Sequence, residues 1–308
     1  MNETGIHLRA ITHLGEEKKK MSRMTLLFPG SYMNFREIEE DMREEYLAAK
    51  GTGLFQTVLF NYDEWLAGDL LRIRSDEAIT NPVIYRGWML KPNEYEELYL
   101  TLELQGIQLL TSPEEYQNLH LFPNVYPDIR EDTAGMMIFE DGDVDVEIVK
   151  RAFPRFMVKD SVKSAKGTAF PAFFDRTVTQ QEFDEWMQVF YKYRGDLLTG
   201  GICIKEYLDL KRYDGKTNEF RVFYANHEII SVSRNSMQPD YTCTPPEELI
   251  KKYSGLKSLY YTVDYAEITD GTWKIIEAGD GGVSGLSPGQ DAAAYFRALY
   301  QAIKDMKT

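Results

Sequence analysis

Two acidic residues near the C-terminus, Asp264 and Glu277, stand where a hairpin would set carboxylate against carboxylate. Residues 261–277 read as two strand-like runs joined at Asp270-Gly271, a dipeptide favoured in two-residue type I′ turns. Such a turn pairs Thr269 with Thr272, Ile268 with Trp273, Glu267 with Lys274, Ala266 with Ile275, Tyr265 with Ile276, and Asp264 with Glu277. Period-2 alternation then puts both acids on the face of Ala266, Ile268, Trp273 and Ile275, the face a sheet would bury. Opposed like charges repel, more so when buried, and a divalent cation is the simplest compensation. Magnesium suits the role, because it takes one or two carboxylates together with phosphate oxygens and water. Neutralising either acid removes a metal ligand but also relieves repulsion. A slipped register, or a wet end of the sheet, is the alternative reading.

Cations fall elsewhere in the chain. The loop 159–167 follows a strand and carries Lys159, Lys163 and Lys166 among small residues, ending at Gly167. Such a loop can fold over a polyphosphate, although a solvated surface loop has the same composition. It lacks the Gly-Lys-Ser/Thr spacing of a Walker A loop and does not follow protein-kinase order. Residues 202–208 form a strand running into Asp209, which can offer an adenine ring backbone partners and apolar walls; a plain edge strand reads the same way. A hairpin over 219–234 turning at Asn226-His227 sets Glu219 opposite Arg234, with Arg221 on the same face. That is either an ion pair or two guanidinium groups placed over phosphates. His7, His13, His120 and His227 have no ligand-like spacing and receive no role. Gly282-Val-Ser-Gly285 is one residue short of a serine-hydrolase elbow.

Several elements must position these groups. Residues 1–23 form a polar extension before the first strand, Met24–Pro29. Asn34 is the expected cap of a helix bearing Phe35, Ile38, Met42 and Tyr46 and stopping at Gly51. Strands follow near 57–60, 82–86 and 107–110, with a helix over 94–105 and another opened by the capping box Ser112-Pro-Glu-Glu115. Strands separated by helices imply a parallel, Rossmann-like sheet over 24–120. Beyond it come strands at 156–159 and 169–174, a helix capped at Thr179-Gln-Gln-Glu182, the two hairpins, and a closing helix over about 290–304. The fold class is therefore α+β with an α/β N-terminal part.

The 308 residues are 43% hydrophobic and 27% charged, ordinary for a soluble globular protein of two lobes. No apolar run reaches membrane-span length, and the N-terminus lacks a secretory signal. Two cysteines, Cys203 and Cys243, give no disulfide framework, which makes a reducing cytoplasm the default. A net charge of −14 disfavours broad nucleic-acid binding.

The succession of strand-Lys-loop, Glu-x-Leu linker, Arg hairpin and Asp-plus-Glu hairpin resembles the ATP-grasp superfamily. Its likeness is to a bacterial and phage-associated clade linked to biological conflict systems, carried by residues 219–224, 263–267 and 276–286. The resemblance implies a Rossmann-like domain over 24–120, an ATP-grasp N-terminal lobe over 121–200 and a C-terminal lobe with the metal site over 201–308. It implies ATP and magnesium as cofactors. Lys159 would hold the α- and β-phosphates, and Lys163, Lys166 and Gly167 would close over the triphosphate. Glu206, Leu208 and Asp209 would receive the adenosine. Arg221, with Arg234, would stabilise the transferred phosphate. Asp264 and Glu277 would bind magnesium. Most of the superfamily has Glu-x-Asn on the last metal strand, whereas this chain reads Glu277-Ala-Gly279, so either Asp280 takes the asparagine's part or the second metal is held differently.

The activity implied is an ATP-dependent carboxylate–amine ligase working through an acyl phosphate on an amino acid, peptide or other small molecule; Arg86, at the end of a strand in the first domain, is the residue expected to contact the substrate carboxylate. The alternatives are an ATP-grasp phosphotransferase and a nucleotide-binding module without catalysis.

Overall fold

The computed structural model describes residues 23–165 and 167–306. Residues 1–22 of the N-terminal extension, Lys166 and residues 307–308 thus lie outside the described residues. The first sheet contains β1 (Met24–Pro29), β2 (Phe55–Phe60), β3 (Ile73–Arg74) and β4 (Val83–Tyr85) in the order β3-β2-β1-β4. Strand β1 is parallel to β2 and β4, and β3 is antiparallel. All six residues of β1 are buried, as a central strand covered on both faces requires. Around the sheet lie α1 (Arg43–Gly51), α2 (Tyr62–Leu66) and α3 (Pro92–Leu104). The helix expected from Asn34 starts only at Arg43, because Gly30 bridges Ile38 and holds 31–37 in turns. The strand expected at 107–110 is reduced to one parallel bridge, Val83 to Leu109.

Helix α4 (Pro113–His120) opens on the anticipated capping box: Ser112 Oγ accepts from Glu115 N at 3.2 Å, and the Glu115 carboxylate accepts from Ser112 N at 2.8 Å. After α5 (Phe122–Ile129), the second sheet comprises β5 (Met136–Phe139), β6 (Arg155–Lys159), β7 (Phe174–Asp175) and β8 (Ile202–Glu206), in the order β5-β8-β6-β7. Helices α6 (Val146–Ala152) and α7 (Gln180–Arg194) cover it, the latter capped by Thr179 and Glu182. Of the strand expected over 169–174 only Phe174 pairs, with Phe156. The second sheet also runs past residue 200, since β8 completes it.

After the small ribbon of β9 (Arg212–Tyr213) and β10 (Lys216–Thr217), a third, antiparallel sheet holds β11 (Glu219–Ala225), β12 (Glu228–Arg234), β13 (Tyr260–Glu267) and β14 (Trp273–Asp280), in the order β12-β11-β13-β14. One face packs Val222, Tyr224, Val263, Tyr265 and Ile275 against Leu119, Phe122, Val125 and Ile129 of α4 and α5, and against α8 (Glu247–Lys252). At one end of the other face, Phe223, Ala225 and Tyr260 meet α9 (Ala292–Ile303), whose Phe296 and Leu299 also pack on Leu26, Phe28 and Phe55 of the first sheet. Helix α9 thus ties the first sheet to the third. Each such side chain contributes about 1.5–3 kcal/mol by burial. Among the described residues no helix is long and apolar enough to cross a membrane.

Candidate functional site

Asp264 and Glu277 do face each other across β13 and β14, though not by the simple count. Ile268 O accepts from Gly271 N at 2.9 Å and Ile268 N donates to Thr272 O at 2.8 Å, so the loop has three residues, with Gly271 at φ +87°. This G1-type closure pairs Glu267 with Trp273, Ala266 with Lys274 and Tyr265 with Ile275, one position off the two-residue expectation. A bulge at Ile276 restores the pairing of Asp264 with Glu277. Because of the shift, Trp273 and Ile275 pack with Val263 and Tyr265, on the face opposite the acids.

The neighbouring strand supplies compensation. Arg221 of β11 is in register with Asp264 and grips it with two bonds, Nε to Oδ1 at 2.9 Å and Nη2 to Oδ2 at 2.7 Å. Its Nη1 donates to Gly285 O at 2.9 Å. Burial pushes the Asp264 carboxyl above its usual range, and the guanidinium pulls it back. With both oxygens accepting from Arg221, Asp264 is an ionised carboxylate. The row Arg221–Asp264–Glu277 lines a cavity of about 140 Å³, together with His120, Lys163, Thr262, Gly279 and Ser284.

Lys159, the last residue of β6, is buried. Burial draws its ammonium below the usual lysine range, with Glu277 the strongest opposing charge. Its Nζ lies 4.8 Å from the centre of the Phe122 ring, over which Lys205 Nζ also sits at 4.0 Å. Lys205 received no role from the sequence; the signal was a lysine directly after three apolar strand residues, where β8 pairs it with Met157 and gives it the face of Lys159. The lysine loop is shaped by Asp160, which is fully buried. Its carboxylate accepts from Val162 N at 2.8 Å, Lys163 N at 2.7 Å and Arg194 Nε at 2.7 Å. Gly167 is beyond this turn, exposed, with φ +76°.

His120 was also passed over, since no local spacing marks it. At the last turn of α4 it is 7% exposed and lines the cavity beside Lys163 and Glu277. Burial, then Lys163, pull its pKa down to about 4.

Other expected residues stand apart. A bulge at Ile230 pairs Arg234 with Phe220 instead of Glu219, turning its side chain to the face away from Arg221; it donates to Asp240 O at 2.6 Å. The Asn226-His227 turn itself forms as expected, with φ +49° and +64°. Arg86 is 2% exposed and fully engaged: Nε and Nη2 bind Glu45 at 2.6 and 2.9 Å, and Nη1 donates to Gly281 O and Ser284 O, each at 2.6 Å. It braces the loop after β14 against the first sheet. Asp280 lies three residues beyond Glu277, so alternation turns it away from the cavity. Its Oδ1 accepts from Gly282 N at 2.8 Å, its Oδ2 is buried without a partner, and desolvation raises its pKa to about 7. Gly279 instead faces the cavity, beside Thr262 Oγ1 and Ser284 Oγ, which are 2.9 Å apart. Among the described residues no three acidic, histidine or cysteine side chains gather into a metal-binding group. Glu206 and Asp209 lie at the end of β8, outside the cavity lining: the Glu206 carboxylate accepts from Gly135 N at 3.2 Å, and Asp209 pairs with Arg155. Leu208 lies between them, also off the lining.

Residues 148–299 match a family described as an ATP-grasp domain, the third family of its clade. Among solved structures, the D-alanine-D-alanine ligase from Coxiella burnetii superposes with a TM-score of 0.57 at 11% identity, covering 92% of this chain and 94% of that one. D-alanyl-alanine synthetase A from Vibrio cholerae gives 0.55 at 14% identity, covering 92% and 98%. The ATP-grasp ligase PsnB, complexed with a phosphomimetic variant of minimal precursor, Mg and ADP, gives 0.54 at 11% identity, covering 91% and 99%. No curated protein matches significantly. The chain thus has an ATP-grasp fold of mixed helices and sheets.

Proposed function

We propose that this chain, whose residues 148–299 are an ATP-grasp domain, is an ATP-dependent carboxylate–amine ligase acting on an amino acid or a peptide. The observation that carries the reading is one cavity lined by a carboxylate pair, Asp264 and Glu277, by Arg221 and by Lys163, with Lys159 buried behind it. Two acids fit magnesium, which completes its shell with phosphate oxygens and water. Bound there, the metal would neutralise charge on a triphosphate.

The chain's own residues do the rest. Lys159 and Lys163 hold phosphate oxygens, and Asp160 fixes where Lys163 starts. Arg221, turning from Asp264, would place its guanidinium over the transferred phosphoryl group. The substrate carboxylate takes that group from ATP; an amine then attacks the acyl carbon, and phosphate leaves as the amide forms. Enclosure by the loop 279–285 keeps water from the acyl phosphate. Peptide substrates are supported by the likeness to PsnB, whose structures hold precursor peptides. Two free thiols, Cys203 and Cys243, accord with a cytoplasmic setting.

The test is incubation with ATP, magnesium and pools of amino acids and peptides, followed by mass spectrometry. An amide formed with one ADP per bond supports ligation. A stable phosphorylated product makes the protein a phosphotransferase, and nucleotide binding without turnover makes it a binding module.

A further inference from the structure

The phosphate side of the cavity has one group for which the sequence offered no use. His120 is almost wholly buried, yet among the described residues its ring nitrogens meet no hydrogen-bond partner, and the residue lines the cavity. Its ring is held from behind by two tyrosines. Tyr116 stacks on it at 4.7 Å and 21°, and Tyr95 stacks on Tyr116 at 3.9 Å and 2°. Both tyrosines are pinned in turn: Tyr116 Oη donates to Leu90 O at 2.7 Å and accepts from Leu90 N at 3.0 Å, and Tyr95 Oη donates to Thr111 O at 2.9 Å. Two residues on, Phe122 N donates to Ser161 O at 2.8 Å, fastening the elbow after α4 to the lysine loop. The charges that face the imidazole from other elements are Lys163, Asp160 and Lys159 on the strand and loop of β6, and Glu277 on β14.

A buried imidazole costs free energy unless its N–H and its lone pair find partners. Here the stack on Tyr116 fixes the plane of the ring, and the residue lines the cavity with Lys163. Lysines there collect anions. We propose that His120 contacts the phosphate chain of the bound nucleotide, donating a ring N–H to a phosphate oxygen. This rests on the ligase reading above and deepens it, adding a donor from the segment that leads out of the first domain to the lysines of the second. In the absence of nucleotide, burial and then Lys163 draw the imidazole pKa down, and the ring N–H adds direction to the phosphate site.

The experiment measures binding of ATP, ADP and adenosine, with magnesium, by calorimetry for the wild type, His120→Phe and His120→Gln. Phenylalanine keeps the stack on Tyr116 and loses both nitrogens; glutamine restores an N–H. The expected result is ATP binding weakened about 10- to 100-fold in His120→Phe, as for one hydrogen bond to a charged group. Adenosine affinity should be unchanged, and His120→Gln should recover most of the loss. A loss confined to ATP places the contact on the terminal phosphate, and a loss shared with ADP places it further in. Equal weakening of all three ligands would make His120 structural and overturn the assignment. So would wild-type ATP affinity in His120→Phe with a lowered turnover, which would instead mark proton transfer. Failure of the wild type to bind ATP at all would remove the ligase reading itself, and is distinguishable from both.

Discussion

In the absence of nucleotide and metal, Asp264→Asn should destabilise the protein. The hairpin alone implies the opposite sign, because two facing acids gain by neutralisation. Arg221 reverses it. The paired side chains are 6% and 19% exposed, so the pair is largely out of water. Removing one partner of a buried ion pair costs about 3–5 kcal/mol. Asparagine keeps one oxygen for the guanidinium, and relief of the cross-strand repulsion with Glu277 returns about 0.2–1 kcal/mol. A net loss of about 2–3 kcal/mol is left. Equilibrium urea unfolding, followed by fluorescence of the four tryptophans, measures it. The control is the same substitution in an Arg221→Met background, where it removes a buried charge that has lost its partner and should be neutral or stabilising. The cycle should then show a coupling of about 2 kcal/mol or more. An Asp264→Asn protein as stable as the wild type, with Arg221 present, would refute the claim that Arg221 compensates the acid pair.

Asp280 carries a pH dependence. With its carboxyl raised from 3.8 to about 7, the folded state holds a proton that the unfolded chain has released, so its stabilising contribution is full below pH ~4 and fades as pH rises through about 7. The loss amounts to at most about 4 kcal/mol, and Asp280→Asn should erase it; urea midpoints of both proteins from pH 5 to 8 give the difference, in which His120 cancels. Lys159→Met should weaken ATP binding by about 10- to 100-fold, since a buried ammonium facing phosphate has no substitute in water, and calorimetry that finds wild-type affinity removes it from the site. Arg86→Lys should cost about 3 kcal/mol or more in unfolding free energy, because lysine cannot serve Glu45, Gly281 and Ser284 at once. A raised KM at unchanged stability would return Arg86 to the substrate.

Local patterns read from the sequence were those whose causes are themselves local. The boxes at Ser112 and Thr179 form because a hydroxyl and a carboxylate three residues apart satisfy one helix end. Asn226-His227 turns because both residues take positive φ in a tight hairpin. The facing of Asp264 and Glu277 also emerged, though through two offsetting shifts, the three-residue loop at 269–271 and the bulge at Ile276. Order along the chain, too, was enough to suggest an ATP-grasp lobe.

Tertiary packing decided the rest. One extra residue in a strand reverses every side chain beyond it. Ile230 thereby takes Arg234 off the face of Arg221, and Ile276 sends Trp273 and Ile275 to the face opposite Asp264. Such bulges answer to the sheets and helices packed on both faces, which no local period records. Arg86 looked available because its partners, Glu45 and the 281–284 loop, come from distant segments. His120 looked idle for the same reason: only the folded chain carries the end of α4 to Lys163 and Glu277, where a lone histidine acquires neighbours that its own sequence surroundings do not contain.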